Sequence, residues 1–201
     1  GVIAIAHNAN LTNASALHNR LLASGSLFQS TTDTEVIIHL MARSMQANLV
    51  ERLADALHQV EGAFSLVALS RKKLIGVRDP LGIRPLVLGR LGGAHILASE
   101  TCALDIIGAD LVRDVEPGEM LVIDETGVVS HFPFPKMASR FCIFEYIYFA
   151  RPDSVIEGHS VYQARKQIGA VLAEESHPPD GADVVIPVPD SGVPAAMGYA
   201  A

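Results

Sequence analysis

Gly62-Ala63-Phe64-Ser65-Leu66-Val67-Ala68-Leu69-Ser70 is where the chain changes its period. Just before it, Leu49, Leu53, Leu57 and Val60 recur at spacings of four, four and three, which puts them on one face of a helix. From Phe64 onward the apolar residues come in short runs broken by turn residues. Phe64 to Ser70, Lys73 to Val77, Leu86 to Leu88 and Ala94 to Ala98 read as four strands, with Gly92-Gly93 as a hairpin turn. Working upstream, Val36, Ile37, Leu40 and Met41 form a second helical face, introduced by Thr32-Asp33-Thr34-Glu35 in the pattern of a capping box. A further helix starts near Asn13, carries Leu17, Leu21 and Leu22, and stops at Gly25-Ser26. Gly1 to Ala6 is a short apolar strand leading into the polar turn His7-Asn8-Ala9-Asn10. Downstream, a short helix from Thr101 precedes strands near Leu111, over Met120 to Ile123 and over Val128 to His131, with turns at Pro117-Gly118 and Glu125-Thr126-Gly127. Helices grouped first and strands after predict a layered α+β domain with antiparallel sheets.

Phe132-Pro133-Phe134-Pro135 is the best candidate for a linker. Beyond it, Val161, Ala164, Ile168 and Val171 predict an amphipathic helix. Val184-Val185-Ile186-Pro187-Val188 then reads as a buried parallel strand, followed by a polar loop and a helix from Pro194, the opening of an α/β unit. The sequence starts without Met inside a strand and stops inside a helix, so it is expected to be an internal segment of a longer chain.

Composition narrows the class. With 49% apolar and 18% charged residues among 201, the chain has the means to build a core. The net charge of −7 argues against a general nucleic-acid surface. No apolar run approaches the roughly 18 residues of a membrane span. Two cysteines exclude a disulfide framework and fit a reducing compartment, and no basic, apolar leader opens the sequence. A soluble, cytoplasmic protein is expected.

Four places carry candidate chemistry. The turn at Asn8 and Ala9 offers a side-chain amide and a backbone N–H, donors suited to an oxyanion; Asn is equally a common turn residue. Asp33 opens a helix, where the dipole alone favours a carboxylate, and a fixed carboxylate there also suits a substrate ammonium. Arg78-Asp79-Pro80-Leu81-Gly82-Ile83-Arg84-Pro85 reads as a rigid, charge-locked loop of mainly structural role. Asp190-Ser191-Gly192 stands between an expected strand and a helix N-terminus, a natural phosphate seat that lacks the glycine-rich P-loop pattern. Ala98-Ser99-Glu100 is placed to cap the helix after it. Cys102 falls on an apolar helix side, Cys142 has no second Cys nearby, and the eight histidines show no metal-ligand spacing. Neither cysteine has an evident base beside it.

Taken in order, His7 to Asn13, Thr32 to Glu35, Arg78 to Pro85, Ala98 to Glu100, Cys142 to Ser154 and Val188 to Gly192 resemble the amidophosphoribosyltransferase family. The block Cys142-Ile143-Phe144-Glu145-Tyr146-Ile147-Tyr148-Phe149-Ala150-Arg151-Pro152-Asp153-Ser154 is the most specific of these. The resemblance implies an α+β chain. Residues 1–133 would be a class II glutamine amidotransferase domain of N-terminal-nucleophile (αββα) type lacking its N-terminal part. Residues 134–201 would be the start of an α/β type I phosphoribosyltransferase domain. It further implies a glutamine-dependent pentosyltransferase of purine biosynthesis that releases ammonia from glutamine and transfers it to phosphoribosyl pyrophosphate, giving 5-phosphoribosylamine. In that setting Asn8 and Ala9 would form the oxyanion hole, Asp33 would hold the glutamine amino group, and Ser191 would belong to a loop that binds inhibitory purine nucleotides. Some members carry a [4Fe–4S] cluster in which a Cys at the place of Cys142 is one ligand, and others keep this Cys without a cluster, so the resemblance leaves both roles open for Cys142. Mg²⁺ would serve a transferase site mostly outside these residues, and family members usually form homotetramers. The family's nucleophilic Cys and carboxylate-binding Arg lie upstream and have no counterpart here, so the 201 residues alone are expected to be inactive. Two other readings stay open: a sister amidotransferase acting on a sugar phosphate, and a non-catalytic regulatory relative.

One departure is testable. The family has Gly where this sequence has Ala9, and a methyl costs about 1–2 kcal/mol if the backbone there has positive φ. Ala9→Gly in the full-length protein is expected to speed glutamine hydrolysis, measured as ammonia release; equal rates would remove any cost of the methyl.

Overall fold

The helical and strand periods on either side of Gly62 become two layers packed on each other in the computed structural model, which describes residues 3–8 and 10–201. Two compact units emerge, residues 1–88 with 114–141 and residues 89–113 with 142–201. Compactness thus groups residues 89–113 with the C-terminal segment, a division distinct from the composition change near residue 133.

In the first unit, strand β1 (Ile3–Asn8) is followed by helices α1 (Ala14–Ala23), α2 (Asp33–Arg43) and α3 (Leu49–Leu57), then strands β2 (Ser65–Ser70) and β3 (Leu74–Arg78). The chain leaves this unit within β4 (Val87–Leu91), continues through β5 (Ala94–Ala98) and helix α4 (Thr101–Ile107), and re-enters at the end of β6 (Asp110–Asp114). Strands β7 (Met120–Asp124) and β8 (Gly127–His131) complete a five-stranded sheet of order β1-β2-β3-β7-β8, antiparallel throughout. Strands β4, β5 and β6 form a second sheet of order β5-β4-β6. The α+β class follows, as the grouping of periods predicts.

The core of the first unit joins Leu17 and Leu21 of α1, Val36, Ile37, Leu40 and Met41 of α2, and Leu53 and Leu57 of α3 to Leu66, Ala68, Ile75, Val77, Met120 and Val122 of the sheet. The expected apolar faces of α2 and α3 are turned to this core, and of the face expected for α1 Leu17 and Leu21 are buried while Leu22 is exposed. Register is fixed by the same pattern, because a one-residue slip would turn Leu66 and Ala68 outward. It sets Asn8 opposite Ser65 and His7 opposite Leu66. Val60 lies past the end of α3 but is still buried. Phe134, within the expected linker, packs edge-on against Phe64 and His58 and so belongs to this unit's interior.

Thr32 is the residue before α2, as expected, yet the capping box does not form. The Thr32 side chain makes no cap hydrogen bond. Glu35 turns away from Thr32 and accepts from the backbone N–H groups of Gln29 and Ser30, each at 2.8 Å, and from the Ser30 hydroxyl at 2.6 Å. Two N–H groups and a hydroxyl in the preceding loop outcompete the single N–H the motif would supply.

The second unit holds α4, a π-helical turn (Glu145–Phe149), the two-residue strands β9 (Val155–Ile156) and β10 (His159–Ser160), α5 (Val161–Glu175) and α6 (Val193–Tyr199). Two expectations fail there. The buried side of α5 is Val161, Arg165 and Gly169, while Ile168 and Val171 are exposed. The reason is close backbone approach. A Cβ on Gly169 would sit 1.8 Å from the Ala195 carbonyl oxygen, and one on Gly198 would sit 1.9 Å from that of Lys166, so α5 and α6 meet along a face only glycine permits. The expected buried strand at 184–188 is also not a strand. Val184, Ile186 and Val188 are 69%, 83% and 80% exposed, no strand among the described residues pairs with the run, and Pro187 cannot donate to a ladder.

Gly169→Ala is expected to unseat α6, since overpacking a tight contact costs about 1–3 kcal/mol even where neighbours can shift. Amide exchange over residues 193–199 should rise sharply while that of β2 and β3 stays protected; unchanged exchange in α6 would contradict this packing.

Candidate functional site

The C-terminal end of β1 delivers His7 and Asn8 beside the start of α2. His7, its side chain 2% exposed, places Nδ1 3.5 Å from Oδ1 of Asp33 and 3.3 Å from the Thr34 hydroxyl. The other Asp33 oxygen, Oδ2, accepts the Leu11 backbone N–H at 3.0 Å. Asp33 therefore pins the turn after β1, while its side chain stays 22% exposed. It opens on a groove lined by Asn10, Leu11, Thr12, Ser15, Thr32 and Val36, among others. Neighbouring contacts stiffen that turn. Asn13 donates Nδ2 to the Gln59 carbonyl at 2.9 Å and accepts the Glu61 N–H on Oδ1 at 3.0 Å, and Thr12 N–H donates to the Glu61 carbonyl at 2.8 Å. Gly62 faces this loop with φ +114°, and a Cβ there would come within 2.6 Å of the Asn10 carbonyl oxygen.

Asn8 is half-buried at the strand end, with its Oδ1 accepting from Nη2 of Arg84 at 2.9 Å. Arg84 stands on the loop 78–85. That loop is held by Arg78, which donates to the carbonyls of Arg84, Val115 and Gly82 at 2.9, 2.9 and 3.0 Å. Asp79 accepts the N–H groups of Leu81 and Ile83 at 2.9 and 3.1 Å. Burial pushes the Asp79 carboxyl above its ordinary range, and these backbone donors pull against that shift. Structural function was the expectation for this motif, and for Arg78 and Asp79 it is what the contacts describe. The reach of Arg84 to Asn8 was not legible, because the two are separated by 76 positions. His7 and Thr34 at Asp33 were likewise missed, although both adjoin residues the sequence singled out. Ala9, the second expected oxyanion donor, lies outside the described residues.

Asn8 and Asp33 are in the first unit; Cys142 and Ser191 are in the second. Ser191 is half-buried in the turn before the seven-residue α6. Cys142 is half-buried and is one of two thiols in the chain. Among the described residues no group of three His, Cys, Asp or Glu side chains is placed to hold a metal ion. A four-thiolate cluster does not fit the residues present, and no step is assigned to one. Cys102 is buried, and burial pushes its thiol above the usual range, the Glu100 carboxylate adding to the effect against a hydrogen bond with Ser154. That is the reverse of what an activated nucleophile needs. Glu100 does not cap α4 through its side chain. It accepts the Arg151 N–H at 2.9 Å and the Ser154 hydroxyl at 2.7 Å, while Thr101 Oγ1 accepts the Val155 N–H at 2.8 Å. No helix among the described residues is long and apolar enough to cross a membrane.

Glu35 sits two residues from Asp33 and has its carboxyl held down at about 2, from an ordinary 4.5, chiefly by the Ser30 hydroxyl and the Gln29 N–H. A depressed carboxyl stabilises the fold above its unfolded value and loses that contribution as pH falls through the folded one. Glu35→Gln is therefore expected to lower the urea midpoint at pH 6, and the gap to wild type should close between about pH 4.5 and 2. A gap that persists at pH 2 would contradict the assignment.

A family model described as "Glutamine amidotransferase domain" matches residues 1–105. The whole chain is 54% identical to the amidophosphoribosyltransferase of Rhizobium etli, covering 41% of it, and 46% identical to that of Bacillus subtilis, covering 42%. The solved structure of glutamine phosphoribosylpyrophosphate amidotransferase from B. subtilis, complexed with ADP and GMP, superposes with a TM-score of 0.93 at 45% identity, over 98% of this chain and 43% of that one. The chain thus spans about two fifths of the length of these relatives.

Proposed function

The chain belongs to the glutamine amidotransferase domain family, and from that membership we propose that the protein carrying it is an amidophosphoribosyltransferase. It hydrolyses glutamine and passes the ammonia to phosphoribosyl pyrophosphate, forming 5-phosphoribosylamine and pyrophosphate in the first committed step of purine biosynthesis. One observation carries the reading. The match to the family domain ends at residue 105, whereas similarity to amidophosphoribosyltransferases runs across the entire chain. A sister amidotransferase would share only the first part.

The residues on hand supply binding and charge stabilisation. Attack of a cysteine thiolate from outside this sequence on the glutamine γ-amide places negative charge on the amide oxygen. Asn8 Nδ2 donates to that oxyanion, and Ala9 N–H supplies a second donor. Asp33 holds the α-ammonium of glutamine at the mouth of its groove. A carboxylate has about four lone-pair sites, so the Leu11 N–H on Oδ2 leaves room for an ammonium. Fixing Asp33 in this way, before substrate arrives, spares the reorganisation a mobile carboxylate would need. Mg²⁺ would serve the transferase site, mostly outside these 201 residues, where it would offset the charge of the phosphoribosyl pyrophosphate. Purine nucleotides inhibit through a loop that includes Ser191; the B. subtilis relative was solved with ADP and GMP. The Cys142 thiol serves as a cluster ligand only if other thiolates come from outside this sequence.

Full-length protein assayed with glutamine and phosphoribosyl pyrophosphate should release pyrophosphate and form phosphoribosylamine. Asn8→Ala should cut glutamine-dependent kcat about 10²- to 10³-fold, as loss of one oxyanion donor does elsewhere. Asp33→Asn should raise KM for glutamine and leave synthesis from added ammonium chloride intact. Consumption of a hexose phosphate in place of phosphoribosyl pyrophosphate would overturn the reading.

A further inference from the structure

We propose that Arg84 is a positioning residue for glutamine hydrolysis: it fixes which end of the Asn8 side-chain amide faces the substrate. The inference rests on Asn8 being an oxyanion donor, as proposed above. An Asn amide has nearly the same shape in its two flipped orientations, but opposite chemistry. One presents two N–H donors, the other a carbonyl oxygen that would repel an oxyanion. Packing alone barely distinguishes them; a neighbour of fixed polarity does. A guanidinium can only donate. With Nη2 of Arg84 2.9 Å away, the atom facing it must be Oδ1, and Nδ2 is turned to the other side. The positive charge also polarises the amide and makes its N–H groups better donors.

The support behind Arg84 is unusually complete. Arg78 binds the Arg84 carbonyl itself at 2.9 Å, and Asp79 accepts the N–H of the preceding residue, Ile83. The residue after Arg84, Pro85, has its carbonyl held by the Ser65 hydroxyl at 2.9 Å. Ser65 is the register partner of Asn8 across β1 and β2. A closed frame results: Asn8 pairs with Ser65, Ser65 holds Pro85, and Arg84 returns to Asn8. Such a frame sets the distance and direction of one hydrogen bond far more tightly than loop stability requires.

The test uses full-length protein and four variants, Arg84→Met, Arg84→Lys, Asn8→Ala and Asn8→Ala/Arg84→Met, with melting temperature and ammonium-dependent synthesis as measures of intact fold. Arg84→Met should lower glutaminase kcat roughly 10- to 100-fold, less than the loss expected for a missing donor, with KM for glutamine changed little. Arg84→Lys, which still can only donate, should recover part of that rate. The double variant should be no slower than Asn8→Ala. Arg84→Met with unchanged kcat, or a loss that multiplies in full on Asn8→Ala, would overturn the positioning role and leave the oxyanion reading standing. Asn8→Ala with unchanged kcat would instead remove the oxyanion reading itself, and this inference with it. Should Arg84→Met not fold, Arg84→Gln replaces it, and Lys must then exceed Gln in kcat.

Discussion

A guanidinium buried inside the first unit organises most of what lies around the site. Arg78 is 2% exposed, and a charge so enclosed is costly unless its donors are met. They are met by the carbonyls of Gly82, Arg84 and Val115, drawn from two stretches of chain that share no regular hydrogen-bond ladder there. Asp79 next to it gathers N–H groups from the same loop. Backbone groups with no secondary-structure partner are thus satisfied by side chains, and a segment without helix or strand becomes as rigid as either. Removing the guanidinium would orphan three carbonyls at once, which is why the loop has one geometry and not several.

Rigidity of that kind spreads to the turn after β1 from the opposite side. Asn13 and Thr12 bind the chain around Gln59 and Glu61, and Asp33 takes the Leu11 N–H from the start of α2. The groove in front of Asp33 is consequently bounded by main chain fixed at several points, with little left to the choice of side-chain rotamer. Preorganisation of this sort suits chemistry in which charge appears on a substrate oxygen, because the donors do not have to reorient as it forms.

Much of this was legible in the sequence wherever the deciding force is local or periodic. The faces of α2 and α3, and Leu17 and Leu21 of α1, follow from apolar spacing, and β2 and β3 from apolar runs between turn residues. Asn8 and Asp33 stood out by their place at element ends, and the family resemblance gave them roles. What escaped was set by distant partners. Glu35 matches a capping pattern, but the loop at Gln29 and Ser30 offers it more donors. Ile168 and Val171 match an apolar helix face, but Gly169 and Gly198 let α5 and α6 touch along another. Residues 184–188 carry the composition of a buried strand, and composition alone does not provide the neighbouring strand that would bury it. Arg84 was visible as a residue and invisible as a contact.

Glu100 bears on how this sequence could be divided. A protein engineer choosing a cut from composition would place it at Phe132-Pro133-Phe134-Pro135 and treat the two sides as exchangeable modules. The Glu100 carboxylate and the Thr101 hydroxyl hold Arg151, Ser154 and Val155 from across that boundary. A chimera spliced there inherits one half of the clamp from each parent. It keeps the clamp only when both parents carry the acid and its hydroxyl partner, so the two motifs must be exchanged, and have to evolve, together.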